Sequence, residues 1–186
     1  MKFFHISDLH LGKRLNEFSL IEDQRHILYK ILNCIDSQKP DAVLIAGDVY
    51  DKGIPTIEAV SLFDDFLYKL SQKKLQVFII SGNHDSPERM TCGTRLMEST
   101  GIHFAQTYDG TICKYTLQDE FGPVNIYLLP FIKPAVVKAV WPDDAEKITD
   151  YSEAVSFAIQ KMNVDTSQRN VLVAHQYVTG TLHCDS

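Results

Sequence analysis

Three times in the first half of this 186-residue chain an apolar, strand-like run ends abruptly in a cluster of Asp, His and Asn. Phe3-Phe4-His5-Ile6 leads to Asp8-Leu9-His10, and residues 42–46 lead to Gly47-Asp48-Val49-Tyr50-Asp51. Residues 75–80 lead to Ser81-Gly82-Asn83-His84-Asp85. In an open α/β sheet, ligand sites form in the crevice outside the carboxyl ends of the strands. The repeated order of strand then cluster therefore points to such a sheet with one polar site along its carboxyl edge. Asp, His and Asn converging there can hold divalent metals.

The segments between the clusters fit that architecture. Residues 19–38 carry Leu20, Ile27, Leu28, Ile31, Leu32 and Ile35 at helical spacing, and Pro40 closes the run. Residues 56–73 read as a second helix, with Ile57, Val60, Phe63, Phe66, Leu67 and Leu70 on its apolar side. Ser86-Pro87-Glu88 predicts a third helix reaching about Ser99, with Ser86 as cap and Gly101 as stop. Beyond Ile102 the pattern changes to a hairpin, 111–117 and 124–129, around a turn at 119–123. A helix over 150–162 and a strand over 170–174 running into His175 follow. The expected fold is α/β, two sheets with helices outside them, in one domain.

Composition narrows the function classes. No stretch approaches the roughly 18–20 apolar residues of a membrane span, and the N-terminus opens directly into a strand, so no signal peptide is expected. Cys34, Cys92, Cys113 and Cys184 show no C-x-x-C spacing, which predicts reduced thiols and a cytoplasmic location. A net charge of −6 argues against a broadly basic nucleic-acid-binding surface. Two divalent cations would cancel four of those charges where a phosphate would bind, so a nucleic-acid substrate stays open.

Asp8 and His10 are two residues apart, so in extended chain they point to one side. A carboxylate with an imidazole suits Mn, Fe or Zn better than Ca or Mg. Asp48 can bridge two ions through its two oxygens, while Asn83 and His175 offer an amide oxygen and an imidazole nitrogen to the second. Ions about 3.5–4 Å apart could then clamp a phosphate and activate a water. Two carboxylates about 4 Å apart repel by about 4 kcal/mol at an effective dielectric near 20, so a cluster of Asp8 and Asp48 calls for cations. His84 need not be a ligand; it could stabilise the transition state or protonate the leaving oxygen. Asp51 could accept from the other His84 nitrogen and fix its tautomer.

Each piece has a plainer reading. Asp-x-His is common, Gly-Asp after a strand is often only a turn, and His175 alone could be a core histidine. The three clusters in order, each after an apolar strand, weigh against coincidence. His5, His26, His103 and His183 are read as structural or surface residues, and the Phe63/Phe66/Leu67/Leu70 stripe as core.

Asp8-Leu9-His10-Leu11-Gly12, Gly47-Asp48-Val49-Tyr50-Asp51 and Gly82-Asn83-His84-Asp85 resemble the motifs of the calcineurin-like metallophosphoesterase superfamily. Asn83-His84-Asp85-Ser86-Pro87-Glu88-Arg89, Leu128-Leu129-Pro130-Phe131-Ile132-Lys133-Pro134 and Val171-Leu172-Val173-Ala174-His175-Gln176-Tyr177-Val178 are similar to its DNA-nuclease branch. The resemblance implies a sandwich of two mixed β-sheets flanked by helices, in α-β-β-α layers. It implies two Mn²⁺ ions, Asp8 and His10 on the first, Asn83 and His175 on the second, Asp48 shared, and His84 catalytic. It also implies 3′→5′ double-strand exonuclease and single-strand endonuclease activity on DNA breaks and hairpins, beside an SMC-like ATPase subunit. Homodimerisation would use the helices at about 56–73 and 87–99, which would give the apolar stripe, with Met90, Leu96 and Met97, an interface role beside the core reading.

The sequence departs from that pattern at its end. The last motif of the branch, Gly-His-x-His, does not occur, nor do a capping domain and an ATPase-docking segment. The expectation is the N-terminal part of a longer protein, with an incomplete nuclease domain over 1–186. Two other readings stand beside the nuclease. One is a phosphomonoesterase or small-diester phosphodiesterase of the same superfamily. The other is a catalytically incomplete fragment retaining fold and dimerisation.

Overall fold

A computed structural model of the chain describes residues 1–177. Four parallel strands, β1 (Phe3–Ile6), β4 (Ala42–Ala46), β5 (Gln76–Ile80) and β6 (Ile102–Phe104), form the first sheet in that order. A short hairpin of β2 (Arg14–Leu15) and β3 (Phe18–Ser19), unforeseen in the sequence, follows the first cluster. The second sheet joins β7 (Cys113–Asp119), β8 (Gly122–Leu129) and β9 (Arg169–Ala174), antiparallel then parallel. Among the described residues only this second sheet is mixed. Among the described residues five helices flank the sheets: α1 (Ile21–Gln38), α2 (Ile57–Ser71), α3 (Pro87–Met90), α4 (Pro134–Val140) and α5 (Tyr151–Lys161).

Strand alternation explains the layers, because successive side chains point to opposite faces. In β4, Val43 and Ile45 pack with Leu28, Leu32 and Ile35 of α1 and with Phe63, Phe66, Leu67 and Leu70 of α2. Ala42, Leu44 and Ala46 pack the other way, against Ile126, Leu128 and Val173 of the second sheet. Both faces of β4 are covered, which is why it reads as an unbroken apolar run. Beyond the second sheet Leu129, Ile132, Val137, Ala154 and Ala158 form the third core layer with α4 and α5. The α-β-β-α order follows. Among the described residues no helix is long and apolar enough to cross a membrane.

The third helix differs from expectation. It stops at Met90, and two 3₁₀ turns, Thr94–Leu96 and Glu98–Thr100, replace the rest. Gly93 takes a left-handed φ of 76°, and Thr91, Thr94 and Thr100 hydroxyls bond to nearby carbonyls that a continuous helix would use. Ser86 occupies the cap position, but its hydroxyl donates to the Glu88 carboxylate instead of capping. The Phe63/Phe66/Leu67/Leu70 stripe is buried in the core, whereas Ile54, Ile57 and Leu96 are exposed. Cys34, Cys92 and Cys113 are free thiols. His183 and Cys184 lie outside the described residues.

Candidate metal centre

All four strands that carry clusters end at one edge. Asp8 and His10 follow β1, Asp48 follows β4, Asn83 and His84 follow β5, and His175 follows β9. Backbone bonds splice the first two loops together: Asp8 N–H to Gly47 O (3.1 Å), His10 N–H to Asp48 O (3.0 Å) and Leu11 N–H to Val49 O (2.9 Å). The second sheet docks through Phe131 N–H to Ser81 O and through His175 Nδ1, 2.7 Å from Ala46 O.

The six side chains converge. His10 Nε2 lies 3.8 Å from Asp8 Oδ1 and 3.7 Å from Asp48 Oδ2. His175 Nε2 lies 3.4 Å from Asp48 Oδ2 and 3.2 Å from Asn83 Oδ1. Potential ligand atoms of Asp8, Asp48 and His175 fall within 4.8 Å of one another, as do those of His10, Asp48 and His84. Asp48 is common to both groups and is buried.

Asp8 and His10 do not meet by strand alternation. β1 ends at Ile6, and Asp8, His10 and Asp48 have left-handed φ values of 58°, 44° and 49°. A non-glycine residue there costs roughly 1–2 kcal/mol, and such strain gathers at functional sites. The turn, not the pleat, aims these side chains inward.

The donor set fits a bound cation. The Ala46 carbonyl only accepts, so His175 Nδ1 carries the hydrogen and Nε2 presents a lone pair. That lone pair faces oxygens of Asp48 and Asn83, which are acceptors too. Electron pairs converging this way suit a cation between them. Two donors about 2.1 Å from one ion would stand about 3.0–3.4 Å apart, close to the spacing seen. Two glycines allow the approach. A Cβ on Gly47 would lie 2.6 Å from His175 Nδ1, and one on Gly82 would overlap the Asp48 carboxylate and amide.

His84 is held differently. Its N–H donates to Asp48 Oδ1 (2.9 Å), and its ring meets that of His10 edge-on at 4.8 Å. Its Nδ1 donates to the backbone carbonyl of Asp51 (3.0 Å), which leaves Nε2 bare. The expected partner was the Asp51 carboxylate. That carboxylate instead lies 3.7 Å from Nδ1 of His10, a buried nitrogen otherwise without a partner. Asp51 thus serves both histidines, His84 through its main chain.

Asp85, part of the third cluster but given no role from sequence, ties the loops together. Its buried carboxylate accepts from Gly82 N–H (2.8 Å), Val49 N–H (3.1 Å) and Tyr50 N–H (2.9 Å). Burial pushes its carboxyl above the usual range; the three donors pull against this, and Asp48 adds to the rise. Burial, with Asp85 and Asp64, also pushes the Tyr50 phenol up to about 12.

A two-sheet α/β sandwich with an Asp, His and Asn cluster at the strand ends defines a metallophosphoesterase, and the family model for calcineurin-like phosphoesterases matches residues 1–176. The chain belongs to that family, whose members use divalent metals. Over its whole length it is 31% identical to SbcD of the SbcCD nuclease of Staphylococcus epidermidis (strain ATCC 12228 / FDA PCI 1200). It covers 49% of that protein, so the chain spans about half the length of this curated relative.

Proposed function

We propose that the chain belongs to the nuclease domain of an SbcD-type protein, which hydrolyses DNA phosphodiesters with two divalent ions, Mn²⁺ in the first instance. Asp8 and His10 would hold the first ion, Asn83 and His175 the second, and Asp48 both. Such a pair supplies Lewis-acid polarisation of a phosphate and a nucleophile drawn from water. The single observation that carries this reading is the convergence of Asp8, His10 and His175 on the carboxylate of buried Asp48, with Asn83 beside His175.

The protein's own residues do the rest. His84, its Nδ1–H committed to the Asp51 carbonyl, would act through Nε2, stabilising the transition state or protonating the leaving oxygen once Nε2 has itself taken up a proton. Asp51 fixes that tautomer. The activity we assign is 3′→5′ exonuclease on double strands and endonuclease on single strands, in break and hairpin processing beside the SMC-like ATPase SbcC. Exposed Ile54, Ile57 and Leu96 support pairing of two copies through α2 and the segment after α3.

Mn²⁺-supported hydrolysis of duplex DNA ends, compared with a phosphomonoester, tests the reading. DNA cleavage is expected; phosphate release from the monoester alone would assign a phosphomonoesterase instead. In a chain that carries the Gly-His-x-His motif, His84→Ala should keep both ions yet lose most turnover, whereas Asp48→Ala should lose both. No turnover together with one weakly held ion or none would identify a fragment that keeps only its fold.

A further inference from the structure

The loop bearing Asp8 and His10 is pinned on one side by the strand-end loop after β4, through the N–H groups of Asp8, His10 and Leu11. Its opposite side meets α1. Gln24, half-buried one turn into that helix, accepts from Gly12 N–H through Oε1 (3.0 Å). Its Nε2 donates to His10 O (2.7 Å) and Leu9 O (3.3 Å). Among the described residues it is the one side chain that hydrogen-bonds this loop's backbone. The loop needs such a clamp, because Asp8, His10 and Gly12 alternate through left-handed φ values of 58°, 44° and 88°. Without Gln24 the loop could relax towards extended backbone, turning the Asp8 and His10 side chains away from Asp48.

We infer that Gln24 is a positioning residue for the ligands of the first ion, acting on the His10 and Leu9 carbonyls and the Gly12 amide. The inference rests on the metal-centre reading above, and it is specific to one ion. Gln24 touches neither Asn83 nor His175, which are held by β5 and β9.

The test uses the full chain and two measurements. Amide exchange of the metal-free protein reads the clamp itself: Gln24→Met, of similar length but without hydrogen bonds, should speed Gly12 exchange at least about tenfold while Val49 and Gly82, both bonded to Asp85, stay protected. MnCl₂ titration reads its consequence. In a His175→Ala background, which retains the first position, Gln24→Met should weaken Mn²⁺ roughly tenfold, as loss of a ligand-orienting contact does. In an Asp8→Ala background it should change affinity by less than about twofold. Gln24→Glu keeps the Gly12 acceptor but sets a carboxylate against two carbonyls; it should restore Gly12 protection and leave affinity low. Equal weakening in both backgrounds, or in neither, overturns the inference. If neither background binds Mn²⁺, the metal-centre reading itself fails, and unchanged Gly12 exchange overturns the clamp independently.

Discussion

Removing the Asp85 carboxylate should separate the loops after β4 and β5, two of those that build the site. Three backbone N–H groups, from Gly82, Val49 and Tyr50, point at its two oxygens. Each buried donor left without a partner costs about 1–3 kcal/mol. In Asp85→Ala, water entering the vacated space would satisfy part of this, so a net loss of about 3–5 kcal/mol is expected against a total stability of about 5–15 kcal/mol. Asp85→Asn should be milder. Its amide oxygen can take the place of Oδ2, which serves both Gly82 and Val49, leaving only Tyr50 N–H against an amide donor. About 1–2 kcal/mol is expected for this variant. Urea unfolding of metal-free protein measures both. With a slope near 2 kcal/mol/M, the midpoint should fall by about 2 M for Asp85→Ala and by under about 1 M for Asp85→Asn. An alanine variant within about 0.5 M of the parent, or an asparagine variant costlier than alanine, would refute the reasoning.

Gly82→Ala should damage the metal centre more than the fold, since its Cβ would collide with Asp48. Mn²⁺ affinity is expected to drop about 10–100-fold by titration, and parental affinity would contradict the close approach. His103 supplies a pH dependence. Burial holds its imidazole below the ordinary value, with Glu98 offsetting in part. The unfolded chain therefore takes up this proton first as pH falls. The stability concerned is full above about pH 6.5 and is lost as pH drops from there through the lower folded value. His103→Phe, which keeps the stacking on Phe78 and Tyr115, should flatten that fall in the urea midpoint between about pH 7.5 and 5. An unchanged slope would show that His103 is not its source.

Much of this protein was legible in residue order. Apolar runs ending in Asp, His and Asn announced parallel strands and a site at their carboxyl ends, because unbroken apolar runs and polar clusters are local patterns. Helices α1, α2 and α5 showed the same legibility, as did the β7–β8 hairpin. The third helix ends at Met90, short of the Ser99 its residue pattern predicts, because Gly93 and three threonines draw the backbone away.

What residue order could not carry were the long-range main-chain contacts. Nothing local marks Gln24 as a clamp on a loop twelve residues earlier, or Asp85 as the acceptor for amides near residue 50. Neither does it show that His84 is oriented by the Asp51 carbonyl and His10 faced by its carboxylate. The chemistry of the donors is written in the chain because residue type alone sets it. Their aim depends on strained loops held by distant partners, and only folding brings those partners within hydrogen-bonding range.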